Sequence, residues 1–241
     1  MLKFQNDYTT LFATFEDFIL LVYTVIDDLY QQFVPACVSQ RRNADSARMS
    51  DSEIITLSIC GELLGMDSEN AWYSFVKRNY RHLFPNLCCR TRFNRTRRAL
   101  LQVTELLRQK LTQSFPIPVS RYFVIDSFPL AVCKFGRARY CRSFREDMRE
   151  KGICLMSLKP SNHKNNWPKE LRQLIFRFRR RVETVFSQLS EQLNAEKVRA
   201  KSFQGLCTRL ENKILGHNLC MAFNSIFGES CDIGKIKHLI F

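Results

Sequence analysis

Two prolines, Pro116 and Pro118, separate two kinds of chain, and that change of pattern constrains the fold more than any other feature. Proline removes a backbone donor and fixes φ, so a pair of them marks a break between elements. Before them, apolar residues recur at three- and four-residue steps, the period of a helix packed on one side. Residues 1–35 read as one or two helices with Phe15, Ile19, Val22, Ile26 and Tyr30 inward, closed by Pro35. Val38–Arg48 reads as a polar loop. Ser50-Asp51-Ser52-Glu53 fits a capping box, followed by the apolar run Ile54–Leu64 and Gly65 as a helix terminator. Asp67 or Ser68 can cap a helix from Glu69 to about Tyr80, with Trp72, Phe75 and Val76 on one side. Beyond Pro85 a third helix is predicted over Arg92–Leu111. Its core side is Leu100, Val103, Leu107 and Leu111, and Arg90, Arg92, Arg95, Arg97 and Arg98 lie on or before its first turns.

After the prolines the pattern shortens. Arg121–Asp126, Leu130–Phe135 and Ile153–Leu158 read as three strands, and Glu146–Lys151 as the end of a helix. Ser161–Pro168 reads as a polar loop. Two helices close the chain, about Lys169–Leu193 and about Gln204–Phe227; the second has Leu206, Leu210, Ile214, Leu219, Ala222 and Ile226 in register. The expected class is α+β: a helical region over 1–115, then a region over 116–241 holding a small sheet and C-terminal helices.

Charge narrows the function. Lys and Arg number 37 against 23 Asp and Glu, a net of +14. Residues 1–40 run against this trend, with Lys3 facing Asp7, Glu16, Asp17, Asp27 and Asp28, so the positive excess lies in the rest of the chain. It clusters at Arg90–Lys110, Lys134–Lys151 and Lys169–Arg181. Local, Arg-rich clusters favour a polyanionic partner over a merely solvated surface, because neutralising phosphates releases counterions. Three successive helices with the third Arg-rich are compatible with a helix-turn-helix module and equally with plain structural helices. The 10 Cys are scattered from Cys37 to Cys231 with no C-x-x-C, and the four His show no zinc spacing, so reduced thiols in a cytoplasmic protein are expected. The apolar run Phe18–Ile26 is bracketed by Asp17 and Asp27-Asp28, the wrong flanks for a signal peptide, and is too short to span a bilayer.

Two carboxylates could carry chemistry. Asp126 ends the apolar run FVID, where an acid held at a strand tip can ligate a hard metal; the plainer alternative is an Asp that starts a turn. Glu183 lies in RRRVETVFSQL, with Arg179 four residues and Arg180 three residues before it. It is either a metal ligand among phosphate-holding arginines or one end of a surface ion pair worth a few tenths of a kcal/mol.

Their order, an Asp on a strand and a Glu on an Arg-rich helix behind a basic helical region, resembles the RNase-H-like transposases with an Asp-Asp-Glu triad. The runs MSDSEIITLSICGELLG, SENAWYSFVKRNYRHLFP, TRFNRTRR, SRYFVIDSFPL, CKFGRARYCRSFR and LKPSN…NNWPKE…FRFRRRVETVFSQL are similar to the insertion-sequence family numbered nine-eighty-two, across essentially the whole chain. The resemblance implies a transposase that cleaves and joins duplex DNA at terminal inverted repeats, associated with the nucleoid. Asp126 and Glu183 would be catalytic and would hold Mg²⁺, while Arg92, Arg95, Arg97, Arg98, Arg179 and Arg180 would contact DNA. It also implies a second Asp on a strand, followed by Lys-Gly-Tyr, and this chain has none. CRSFR passes straight to EDMREKG, an internal deletion near Arg145–Glu146 that leaves a truncated core; Asp147 lies in a charged helical stretch and does not replace the missing Asp. In such enzymes two Mg²⁺ ions roughly 4 Å apart activate the attacking oxygen and stabilise the leaving one. With one of three carboxylates gone, a catalytically defective copy is expected. The alternative is a DNA-binding inhibitor that occupies transposon ends as a homodimer or mixes with intact subunits. No RNA-recognition run or GXXG loop supports an RNA-binding module.

Overall fold

Helix α3 (Asp51–Leu63) begins where the sequence predicts. The Ser50 hydroxyl accepts the Glu53 amide at 3.1 Å, and the Ser50 amide donates to Glu53 Oε2 at 2.6 Å. Two free donors of the first turn are thereby satisfied reciprocally. At the other end Gly65 takes φ +64°, the left-handed conformation that a side chain disfavours. Between these stops the helix is apolar on every side, so it cannot lie at a surface. Ser52 and every residue from Ile54 to Leu63 are buried.

The computed structural model describes residues 14–40, 47–115, 149–152 and 167–227. They fall in two units, one drawn from Met1–Ser120 with Ser187–Phe241, the other from Arg121–Phe186. In the first unit, α3 is enclosed by α1 (Phe15–Phe33), α5 (Arg90–Ala99) and the C-terminal helix α8 (Phe203–Phe227); α6 (Leu101–Ser114) packs on both α1 and α8. Helix α8, from the region expected over 116–241, thus packs with the N-terminal helices within this unit.

Helix α1 opens on a second capping box, Thr14 with Asp17, and buries Phe18, Ile19, Val22 and Ile26 almost completely. It stops at Val34, ahead of Pro35, and a single turn, α2 (Ala36–Ser39), follows. Ser68 and not Asp67 caps α4 (Glu69–Asn79), accepting the Ala71 amide at 3.3 Å. The long helix predicted over Arg92–Leu111 is two helices. Leu100, at φ −84° and ψ 7°, ends α5 and begins α6, and its buried side chain is shared by the core faces of both.

Trp72 fastens α4 to α3: its indole Nε1 donates to the Leu57 carbonyl at 3.0 Å. The ring lies over Gly61, where an added Cβ would come within 2.9 Å of Nε1. Gly61→Ala must push the indole off that hydrogen bond. We expect a loss of about 1–3 kcal/mol from overpacking and an unpaired indole donor, read as a lower urea midpoint at unchanged m-value. An unchanged midpoint would show that Trp72 shifts freely.

In the second unit the described residues are 149–152 and 167–186, which include all of α7 (Lys169–Ser187) but its last residue. Helix α7 is amphipathic, with Ile175, Phe178, Val182 and Val185 half-buried and Arg177, Arg179, Arg180 and Arg181 exposed. It ends at Ser187, short of the predicted Leu193. A π-helical turn (Gln188–Gln192) and a short 3₁₀ turn (Ala195–Lys197) follow, both in the first unit.

The expected α+β class is not what the structure shows. Helix makes up 78% of the described residues, and no strand occurs among them, so the truncated RNase-H-like sheet is withdrawn as the description of this fold. The runs read as strands, Arg121–Asp126, Leu130–Phe135 and Ile153–Leu158, lie outside the described residues. The α+β expectation rested on these three runs, which are short and have no period of their own, whereas every element that is described is a helix or a helical turn.

Candidate nucleic-acid interface

The loop ahead of α5 is fixed from inside. Phe84, Leu87 and Cys88 are buried, Tyr73 donates its hydroxyl to the Cys88 carbonyl at 2.7 Å, and Arg81 Nη1 donates to the Leu87 carbonyl at 3.4 Å. At ten residues, Tyr80–Cys89, the connection is longer than the three- or four-residue turn of a compact helix-turn-helix. It nevertheless presents α5 in a defined orientation.

Helix α5 divides its arginines. Phe93 and Arg97 face inward, and Arg90, Arg92 and Arg95 are exposed. Arg98 is half-buried and donates from Nε to the Asn94 carbonyl at 3.2 Å. Arg97 is only 7% exposed; its Nη2 meets Glu69 Oε1 at 2.5 Å and its guanidinium lies 5.8 Å from the centre of the Phe93 ring. Burial pulls the Arg97 pKa down, with Glu69 and Glu62 opposing. Arg97 thus ties α5 to the start of α4 and is set apart from the other predicted DNA contacts. The i,i+4 spacing explains why: Phe93 and Arg97 share the side of the helix that packs.

Among the described residues, none of Arg90, Arg92, Arg95 and Arg98 has a carboxylate partner. Arg90 and Arg92 also occupy the first turn, where no acidic residue offsets them. The helix dipole disfavours cations there by about 0.3–1 kcal/mol each, so α5 carries a local repulsion that an anion would relieve.

Below this surface lies a feature that sequence reasoning missed. Glu62 (α3) accepts a fork from Arg209 (α8), Nε to Oε1 at 2.8 Å and Nη2 to Oε2 at 3.0 Å, and Lys213 Nζ reaches Oε2 at 2.6 Å. All three side chains are at most 4% exposed. Arg209 also donates to the Asp67 carbonyl at 2.8 Å and pairs with its carboxylate at 3.4 Å, while Lys213 donates to the Leu193 carbonyl. Asn194 donates to Asp67, and His217 meets Gln188 at 3.0 Å. Burial would raise the Glu62 carboxyl, but the Arg209 hydrogen bonds and the Lys213 and Arg209 charges outweigh it and hold it below the usual range. The only available signal was that the predicted face of α8 was interrupted by charges. The network anchors the 188–197 segment to α3 and α8 and is structural.

Of the two predicted catalytic residues, Glu183 is among the described residues. Asp126 lies outside the described residues, as does Asp147, while Glu150 is exposed. Glu183 is exposed on α7, and Arg179 Nε donates to its Oε1 at 3.2 Å, the surface i,i+4 pair that its spacing allowed. Arg180 is exposed beside it. Among the described residues Glu183 is the one predicted ligand, a carboxylate already engaged by a guanidinium, whereas two divalent ions need several oxygens each. No group of three or more metal-ligating side chains occurs among the described residues, and no step through Mg²⁺ follows from this geometry.

The chain matches no family model, no curated protein and no solved structure. Among the described residues, no helix is long and apolar enough to cross a membrane. The burial of Cys60 and Cys220 pushes both thiols up, Cys220 to about 12, so both act as packing groups. Cys37 and Cys89 are exposed.

Proposed function

We propose that this protein binds duplex DNA through α5, as a transposase-type protein that grips transposon ends without cutting them, alone or mixed with intact subunits. The observation that carries the reading is the outward set Arg90, Arg92 and Arg95, without carboxylate partners among the described residues, on a helix whose inner side is fixed by Phe93 and Arg97. The net charge of +14 supports it, as does the similarity of the quoted runs to insertion-sequence transposases. Such a protein would reside in the cytoplasm on chromosomal DNA.

The missing Asp-Lys-Gly-Tyr favours binding without cleavage. Asp126 and Glu183 supply two negative charges at most against two divalent ions, with phosphate as the only other anion. Purified protein is expected to shift a duplex carrying inverted-repeat ends, with affinity falling steeply as salt rises. On the same labelled duplex, with Mg²⁺ or Mn²⁺, wild type and Asp126→Asn should both nick at background rate. A clear rate that the substitution abolishes would mean that a working site survives with a third carboxylate. Failure to bind at any salt would remove the DNA reading altogether.

A further inference from the structure

The segment between the 3₁₀ turn and α8 is held at both ends against elements of the first unit. At its start Asn194, in the left-handed region at φ 50°, donates its side-chain amide to Asp67. At its end Gln204 Nε2 donates to the carbonyl of Arg98, the second-last residue of α5, at 3.4 Å. Helix α8 packs against α5, so the segment Lys197–Phe203 emerges beside the end of the helix that carries Arg92, Arg95 and Arg98.

Exposure alternates along it. Lys197, Arg199 and Lys201 are exposed, and Val198 and Ala200 between them are half-buried. Val198 is extended, at φ −64° and ψ 119°. Lys197 ends the 3₁₀ turn, and the Ala200 amide donates to the Val198 carbonyl at 3.1 Å, a tight turn centred on Arg199, so the segment is a turned one that leaves its three cations exposed and its small apolar residues half-buried. None of the three has a carboxylate partner among the described residues. Phe203 follows at 78% exposure, the most exposed large apolar side chain described. The segment is pinned further by the Ser202 hydroxyl, which accepts the Gly205 amide at 3.1 Å.

We propose that Lys197, Arg199 and Lys201, with Phe203 beside them, form the second half of the duplex-DNA surface that α5 begins. This rests on the duplex-DNA reading of α5. The partner is argued from chemistry. A row of three exposed cations within five residues, without carboxylate partners among the described residues, suits a phosphate backbone, and the start of α8 that follows it meets the end of α5, about 15 Å of helix with its own outward arginines. An acidic protein would satisfy the charges but gives no reason for the row to continue a helix rich in arginine, whose planar fork suits phosphate. Phe203 supplies the apolar contact that such surfaces place against deoxyribose or an unstacked base.

The test compares four full-length proteins on one duplex across a salt series: wild type, Arg92→Ala/Arg95→Ala, Arg199→Ala/Lys201→Ala, and Phe203→Ala. All the changed side chains are exposed, and equal thermal midpoints establish that the variants fold. The 199/201 variant should lower the log–log salt slope by about 2, one per lost phosphate contact. Phe203→Ala should weaken binding several-fold with its slope unchanged. If the 92/95 variant loses affinity and the 199/201 variant keeps wild-type affinity and slope, the second half of the surface does not exist although the α5 reading stands. If wild type binds no duplex, both fall. Tighter binding to single strands or to duplex RNA would overturn the choice of duplex DNA.

Discussion

Glu62→Ala is expected to cost about 3–5 kcal/mol, a large part of the stability of a domain this size. The loss comes less from the contacts removed than from what remains. Arg209 and Lys213 would stay buried, at 4% and 1% side-chain exposure, without the carboxylate that both use. Urea unfolding measures the effect directly, and a change below about 1 kcal/mol would mean that water or Asp67 takes over the pairing. Replacing the whole set is expected to behave differently. A triple variant with Glu62→Leu, Arg209→Met and Lys213→Met removes every buried charge of the trio and should fall close to wild type or above it. The same carboxylate makes stability depend on acid. Its folded pKa lies below its unfolded one, so its contribution is fully present above the ordinary carboxylate range. That contribution is lost as pH falls through the folded value. Glu62→Gln should therefore start less stable at neutral pH and lose less on acidification, a difference that unfolding at two pH values reads out.

The second large effect concerns binding. Arg90→Ala/Arg92→Ala/Arg95→Ala removes three exposed cations from one helix. Duplex affinity should fall about 10- to 100-fold at moderate salt, with the salt slope lowered by up to ~0.9 per lost phosphate contact. Thermal stability should hold or rise slightly, because Arg90 and Arg92 sit at the unfavourable end of the helix dipole. Arg97→Ala is the informative contrast. It removes the Glu69 pair and the packing over Phe93, so it should lower stability while leaving the slope of the folded protein unchanged. If Arg97→Ala alone reproduced the slope change of the triple variant, the division of α5 into inward and outward arginines would be wrong.

Much of the helical framework could be read directly from the sequence, because the signals that fix it are local. Ser50 and Glu53 name the start of α3, Gly65 its end, and the absence of any polar side from Ile54 to Leu63 its burial. The core side of α1 and the inward residues Leu100, Val103, Leu107 and Leu111 follow from period alone. Period failed where charges were taken into the core. In α8 the apolar pattern nominated Ile214 and Ile226, which are 36% and 68% exposed, while Arg209, Asn212 and Lys213 are buried. A sequence rule that places charge outside cannot anticipate Lys213 inside, since burying it depends on Glu62, far away in the chain. The α5 arginines show the same limit in a milder form. Sequence alone determined that five arginines cluster at Arg90–Arg98 and that a polyanion suits them. Only the tertiary structure decided that Arg97 belongs to Glu69 and that Gln204, at the start of α8, reaches the Arg98 carbonyl. The reason is physical: helical spacing is set by neighbours a few residues apart, whereas the partner of a buried charge is set by which helices pack together.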